Sequence, residues 1–176
     1  MPRYEDPPAR TRANEAAAAV GDAPASWLEP LFRRIADERM RDLPFFRPAV
    51  PVRACGFTLF EQQWLGCLLT PWMLSLWVLP GPGQEWPPME NGARRALALP
   101  CGNVTFISGE LAGRGPYLSC SLMSPLDAGL TGAGAVALAE HCVKMALSLP
   151  VRDGDCPPDA DRRAWLTRGR GGAPDA

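Results

Sequence analysis

Between Val52 and Met123 the chain breaks into six short runs rich in β-forming residues, each bounded by Pro, Gly or other turn formers, and this rhythm constrains the fold more than any other feature. The runs fall at about 52–57, 63–69, 73–79, 96–99, 103–108 and 117–123. Their connections, such as Thr70-Pro71-Trp72 and the Gly113 to Pro116 turn, are too short for crossovers, so neighbouring strands should be antiparallel. The stretch from Gly81 to Gly92, with Pro82, Pro87 and Pro88, reads as a long surface loop carrying Trp86. Helical spacing appears on either side of this block. Ser26 and Glu29 have capping-box spacing, and Leu28, Leu31, Phe32 and Ile35 continue one helix to about Arg41. Pro44, Pro48 and Pro51 keep the next segment extended. A second helix is predicted over 131–149, with Ala135, Leu138, Cys142, Met145, Ala146 and Leu149 on one side. The expected fold class is α+β: a mostly antiparallel sheet of about five to six strands, with an N-terminal and a C-terminal helix packed on one face.

At 176 residues the chain suits one domain with tails. We expect a flexible arm at 1–23, the folded domain at 24–150, and a flexible Pro/Asp/Arg-rich tail at 151–176. Apolar residues make up 47% and charged residues 21%, which fits neither a disordered chain nor an integral membrane protein. No run approaches the ~20 apolar residues of a spanning helix, so direct membrane insertion is not expected. A net charge of −1 gives no electrostatic reason to expect nucleic acid as a partner. The N-terminus lacks the apolar stretch of a secretory signal, so a cytoplasmic location is expected, with the six cysteines mostly reduced. No C-x-x-C pair or His-x-His accompanies them, so neither a metal site nor a cofactor is expected.

Strand side chains alternate between faces. One side collects Leu65, Cys67 and Leu69, then Leu74, Leu76 and Val78, then Leu118, Cys120 and Leu122, a plain aliphatic core for the helices to cover. The other collects Met73, Ser75 and Trp77 with Tyr117, Ser119, Ser121 and Met123. Pliable Met, amphipathic aromatics and small hydroxyls suit an adaptable binding surface. The same composition also suits a second layer, sealed by the loop around Trp86.

Catalytic groupings are sparse. His141 is the single histidine and should face solvent from a helix, so no Ser-His or Cys-His pair is apparent. Gly132-x-Gly134-x-x-Ala137 matches a dinucleotide fingerprint by letter but lacks the preceding buried strand. Asp153, Asp155, Asp159 and Asp161 are interrupted by Pro157 and Pro158 and lack a closing Glu, unlike a calcium loop. A binding module is therefore expected, not an enzyme.

Several strings then occur in a telling order: Phe57-Thr-Leu-Phe-Glu-Gln-Gln-Trp64-x-Gly66-Cys67, Thr70-Pro71-Trp72-Met73-Leu74-Ser75, Pro80-Gly81-Pro82-Gly83, Gly109-Glu110-Leu111 and Tyr117-Leu-Ser-Cys-Ser-Leu-Met-Ser-Pro125. With Leu147-Ser148-Leu149-Pro150 and Arg162-Arg163-Ala164, they closely resemble the HybE family of [NiFe]-hydrogenase assembly chaperones, in order from about Trp27 to Arg170. The resemblance implies a cytoplasmic accessory protein that holds the immature iron–sulfur small subunit with its twin-arginine signal peptide, delaying export until assembly is complete. The large subunit is a further candidate partner. Some relatives of this kind carry a fused rubredoxin domain, which this sequence lacks.

Such a task calls for a surface that shields an apolar segment and then releases it. On this reading Met73, Trp77, Tyr117 and Met123 contact the client, together with Ser75, Ser119 and Ser121, while Trp72 and Trp86 flank it. In the tail, Arg162-Arg163-Ala164-Trp165-Leu166 resembles the core of a twin-arginine signal, and Arg162, Arg163, Trp165 and Leu166 are candidates for a placeholder in the client groove. The alternative for this segment is a basic tail that aids solubility. The competing functional reading is a metal or iron–sulfur delivery factor using Cys67, Cys120 and Cys55.

Overall fold

A computed structural model describes residues 23–149. Helix α1 (Ala25–Ile35) runs into a π-helical turn at Ala36–Met40. Six strands follow, β1 (Arg53–Phe60), β2 (Gln63–Thr70), β3 (Met73–Leu79), β4 (Arg94–Leu99), β5 (Gly102–Leu111) and β6 (Gly115–Met123), and then helix α2 (Gly132–Leu147). The strands form one sheet in the order β1-β2-β3-β6-β5-β4, every neighbouring pair antiparallel. The α+β class and the antiparallel sheet with two flanking helices are as the sequence indicated.

The placement of the helices differs from the expectation of one shared face. Helix α2 covers the aliphatic side: Ala135, Ala139 and Val143 pack with Cys55, Leu65, Cys67, Leu76, Val78 and Phe106. Helix α1 covers the opposite side, where Leu28, Phe32 and Ala36 meet Leu68, Trp77 and Leu79. The reason lies in β2 and β3, which carry no charged residue and are buried from Leu65 to Thr70 and from Leu74 to Leu79. Central strands apolar on both faces require a layer on each.

Local chemistry sets each helix. Thr131 caps α2 by accepting the Gly134 N–H at 3.0 Å. Small side chains at Ala135 and Ala139 let this helix lie close to the sheet. The predicted capping box of α1 does not form. Pro24 occupies the cap position, and the Glu29 carboxylate turns outward, accepting from Arg33 at 2.7 Å and from the backbone N–H of Ala54 at 3.1 Å. Glu29 thus ties α1 to the edge strand β1, satisfying a backbone donor that an edge leaves open.

Under α1 a row of rings crosses the sheet. Phe57 lies over Gly66, where a Cβ would come within 2.4 Å of its ring. Trp77, paired with Gly66 in the ladder, stacks on Tyr117 at 4.2 Å and forms a T-shaped pair with Phe32 at 5.6 Å. Tyr117 in turn lies over its cross-strand partner Gly109, where a Cβ would sit 2.4 Å from the ring. The Trp77 indole N–H donates to Ser75 Oγ at 2.8 Å. The Trp77 indole donor is thereby satisfied within the row.

Candidate functional site

The face predicted to receive a client is for the most part occupied by the protein's own packing. Trp77 is 2% exposed, Ser75 3% and Trp72 7%, so these side chains form interior beneath α1 and the 41–52 segment, Trp72 stacking on Phe46 at 6.3 Å. Met73, Tyr117 and Ser119 are half-buried, and Ser121 is exposed. Met123 belongs to the opposite side. A bulge opposite Leu74 and Ser75 inserts one residue into β6, so Met123 pairs with Leu74 and joins the aliphatic cluster. Trp86 also packs against the aliphatic cluster, while the 80–86 stretch that carries it borders the start of α1 as well. Beyond the reach of α1 no described element covers the mixed face over β5, where Thr105 and Ile107 are exposed. Arg162, Arg163, Trp165 and Leu166 lie outside the described residues.

Trp86 is instead the shared wall of two clefts. The first, about 400 Å³, lies between the start of α1, the 80–86 loop and the β5–β6 hairpin, and is lined by Trp27, Trp64, Leu79, Trp86, Leu111 and Arg114 among others. The second, about 350 Å³, has a floor of Leu65, Val78, Leu97, Leu99 and Leu118, with Phe60 and Glu61 at one rim. Residues of both edge strands, β1 and β4, line it, so the sheet curls around this face.

Gln63 organises the junction. Its Oε1 accepts the Trp86 indole N–H at 2.8 Å and the Gly81 backbone N–H at 3.3 Å, while its Nε2 donates to Gln84 Oε1. Gln84 Nε2 donates in turn to Gln62 Oε1 at 3.2 Å. Gly81 presses directly on the β1–β2 turn, and a Cβ there would lie 1.7 Å from the Gln62 carbonyl oxygen. The turn itself is strained: Glu61 and Gln62 have φ of 47° and 64°, the left-handed pair of a type I′ hairpin, in residues that carry a Cβ. Backbone strain of this kind persists where surrounding contacts hold it, and it concentrates at functional positions. Glu61→Asn with Gln62→Gly should therefore raise the thermal midpoint by a few degrees, as relief of about 1 kcal/mol implies, which a melting curve checks.

The charges here are simple. Glu61 and Glu85 are exposed on the linings of the two clefts that Trp86 separates, and neither enters an ion pair among the described residues. The Arg114 guanidinium is engaged over the Trp27 ring, 4.7 Å from its centroid. Each cleft therefore pairs apolar walls with one carboxylate that has no ion-pair partner among the described residues, Glu85 in the first, which also carries Arg114, and Glu61 in the second.

The cysteines have different surroundings. Cys55 and Cys67 are cross-strand partners in the core. Burial, with a smaller contribution from Glu140, pushes the Cys55 thiol up to about 11, and burial pushes Cys67 further up. Burial also raises Cys120 and Cys142. At neutral pH these are protonated, apolar side chains and poor nucleophiles or ligands. Among the described cysteines, iodoacetamide at pH 7.5 should modify exposed Cys101 first and Cys55 and Cys67 only on unfolding, which mass mapping reads. The folded state holds the Cys55 proton more tightly than the unfolded chain does. Its contribution is whole below about pH 9 and is lost as the pH rises toward 11, so alkaline loss of stability should begin in that window. His141 is exposed on α2, as expected.

Comparison with known proteins bears directly on this arrangement. The profile of the family described as "[NiFe]-hydrogenase assembly, chaperone, HybE" matches residues 23–168. The chain belongs to the HybE family. It is 45% identical over 158 residues to the Hydrogenase-2 operon protein HybE of Escherichia coli K12, covering 90% of this chain and 97% of that protein. The Hydrogenase expression/formation protein HupT of Azotobacter chroococcum is 34% identical over 143 residues, 81% of this chain and 93% of the relative. The solution structure of HybE from Escherichia coli superposes with a TM-score of 0.61 at 46% identity, covering 85% of this chain and 92% of that one.

In this HybE-family chain, sequence reasoning passed over Trp27, Gln63, Trp64 and Arg114. The signal was present: the strings containing Gln62-Gln63-Trp64 and beginning Pro80-Gly81 are far apart in sequence, yet both carry residues that meet at this junction. No helix among the described residues is long and apolar enough to cross a membrane.

Proposed function

We propose that this member of the HybE family acts in the cytoplasm by binding the precursor of a [NiFe]-hydrogenase small subunit, twin-arginine signal peptide included, and retaining it until assembly is complete. The observation that carries the reading is the Gln63-organised junction, where Trp86 stands between two clefts with aromatic and aliphatic walls, Glu85 on the first and Glu61 on the second, neither in an ion pair among the described residues. A signal segment offers two guanidinium groups followed by an apolar run. The carboxylates suit the first and the cleft walls the second. Rigid tryptophans supply contact area at little entropic cost, which favours binding that is specific yet readily reversed.

The role is one of holding, without a catalytic step. Delivery of metal by Cys55, Cys67 and Cys120 is disfavoured, because two of these thiols are sealed in the core and burial keeps all three protonated. Affinity capture from cells that express the small subunit, with and without its twin-arginine segment, tests the proposal. The intact precursor should co-purify and the truncated one should be depleted; equal recovery of both would overturn the signal-peptide component.

A further inference from the structure

We propose that the chain's own segment Arg162-Arg163-Ala164-Trp165-Leu166 occupies the second of the two clefts beside Trp86 when no client is bound, so that the protein carries a tethered competitor. This rests on the client reading of the same cleft. The first support is chemical match. Two adjacent guanidinium groups followed by Trp and Leu present what Glu61 and the walls of Leu65, Val78 and Leu118 in the second cleft would accept, with Glu85 of the first cleft on the far side of Trp86.

The second support is reach. Helix α2 ends beside the β4–β5 turn, where the Ala146 carbonyl accepts the Cys101 N–H at 3.3 Å, and Leu97 and Leu99 of β4 line the cleft. From Leu149 to Arg162 the chain can extend about 40 Å, well beyond the length of α2. The third support is that the family profile continues to residue 168, past Leu166, so the segment belongs to the family's shared region.

Tethering makes weak contacts effective. A tether of this contour length gives an effective concentration on the order of 1 mM, so a segment with an intrinsic Kd of about 0.1 mM would weaken client binding about tenfold. Only a client that binds more tightly would displace it, which filters against casual apolar peptides.

The test uses the full chain and its Arg162→Glu/Arg163→Glu variant, with Trp165→Ala/Leu166→Ala as an independent second variant. Without any client, the Trp86 indole N–H resonance, assigned with Trp86→Phe, should differ between wild type and both variants; identical resonances would overturn the proposal. A synthetic peptide bearing a twin-arginine sequence and apolar run should then bind the charge-reversed chain about tenfold more tightly. Equal or weaker binding by that variant would overturn the competitor role. Should the resonance move while the peptide binds neither chain, the tail's seat is supported and the signal-peptide reading fails.

Discussion

Replacing Trp27 and Trp86 together by Ala should abolish capture of the hydrogenase precursor while the chain stays folded. Both residues line the first cleft, and Trp86 also walls the second. Neither belongs to the fully buried set: each is half-buried and packs at the margin of a cluster, Trp27 under Arg114 and Trp86 against Gln63. Their truncation removes wall area without opening a hole in the core. An anchor tryptophan at an interface centre is worth 2 kcal/mol or more, about 30-fold in Kd, so losing two weakens binding by roughly two to three orders of magnitude. Circular dichroism and a melting curve close to wild type would assign the loss to the surface. Full retention of precursor would remove the cleft from the account.

Trp77→Ala should have the opposite profile, a large loss of stability. This ring stacks on Tyr117, forms a T-shaped pair with Phe32 and gives its N–H to Ser75 Oγ at 2.8 Å, all at 2% exposure. Truncation leaves a cavity between α1 and the sheet, and large-to-small aromatic changes of this kind cost about 3–5 kcal/mol. Against the few kcal/mol that hold a domain of this size together, the thermal midpoint should fall by about 10 °C or more. Trp77→Phe keeps most of the packing and should retain precursor binding. A Trp77→Phe chain that melts normally but captures nothing would restore Trp77 to the client surface.

These contrasting expectations mark what the sequence carried and what it did not. Alternation placed Leu65, Cys67, Leu69, Leu76 and Val78 on the aliphatic side and Ser75 and Trp77 on the other, as observed. It could not say which element covers each side. Leu28 and Phe32 of α1 are apolar enough to pack on either, and the choice is made by β2 and β3, which are too apolar to leave a face wet. Met123 was misplaced because the bulge beside Leu74 reverses the alternation, and β6 has no glycine there to announce it. The cleft was legible only as fragments. Gln63, Gly81 and Trp86 are separated by 18 and 23 positions in their contacts with Gln63, distances that local periodicity does not span.

The most direct measurement of the central claim places a photo-crosslinking amino acid at position 86 in one chain and at position 107 in another, in cells that make the hydrogenase subunits. Ile107 is an apt reference because it is 49% exposed on the open part of the sheet face opposite the one Trp86 covers. The account predicts an adduct with the small-subunit precursor from position 86, dependent on the twin-arginine segment, and little from position 107. Strong crosslinking at 107 with none at 86 would contradict it.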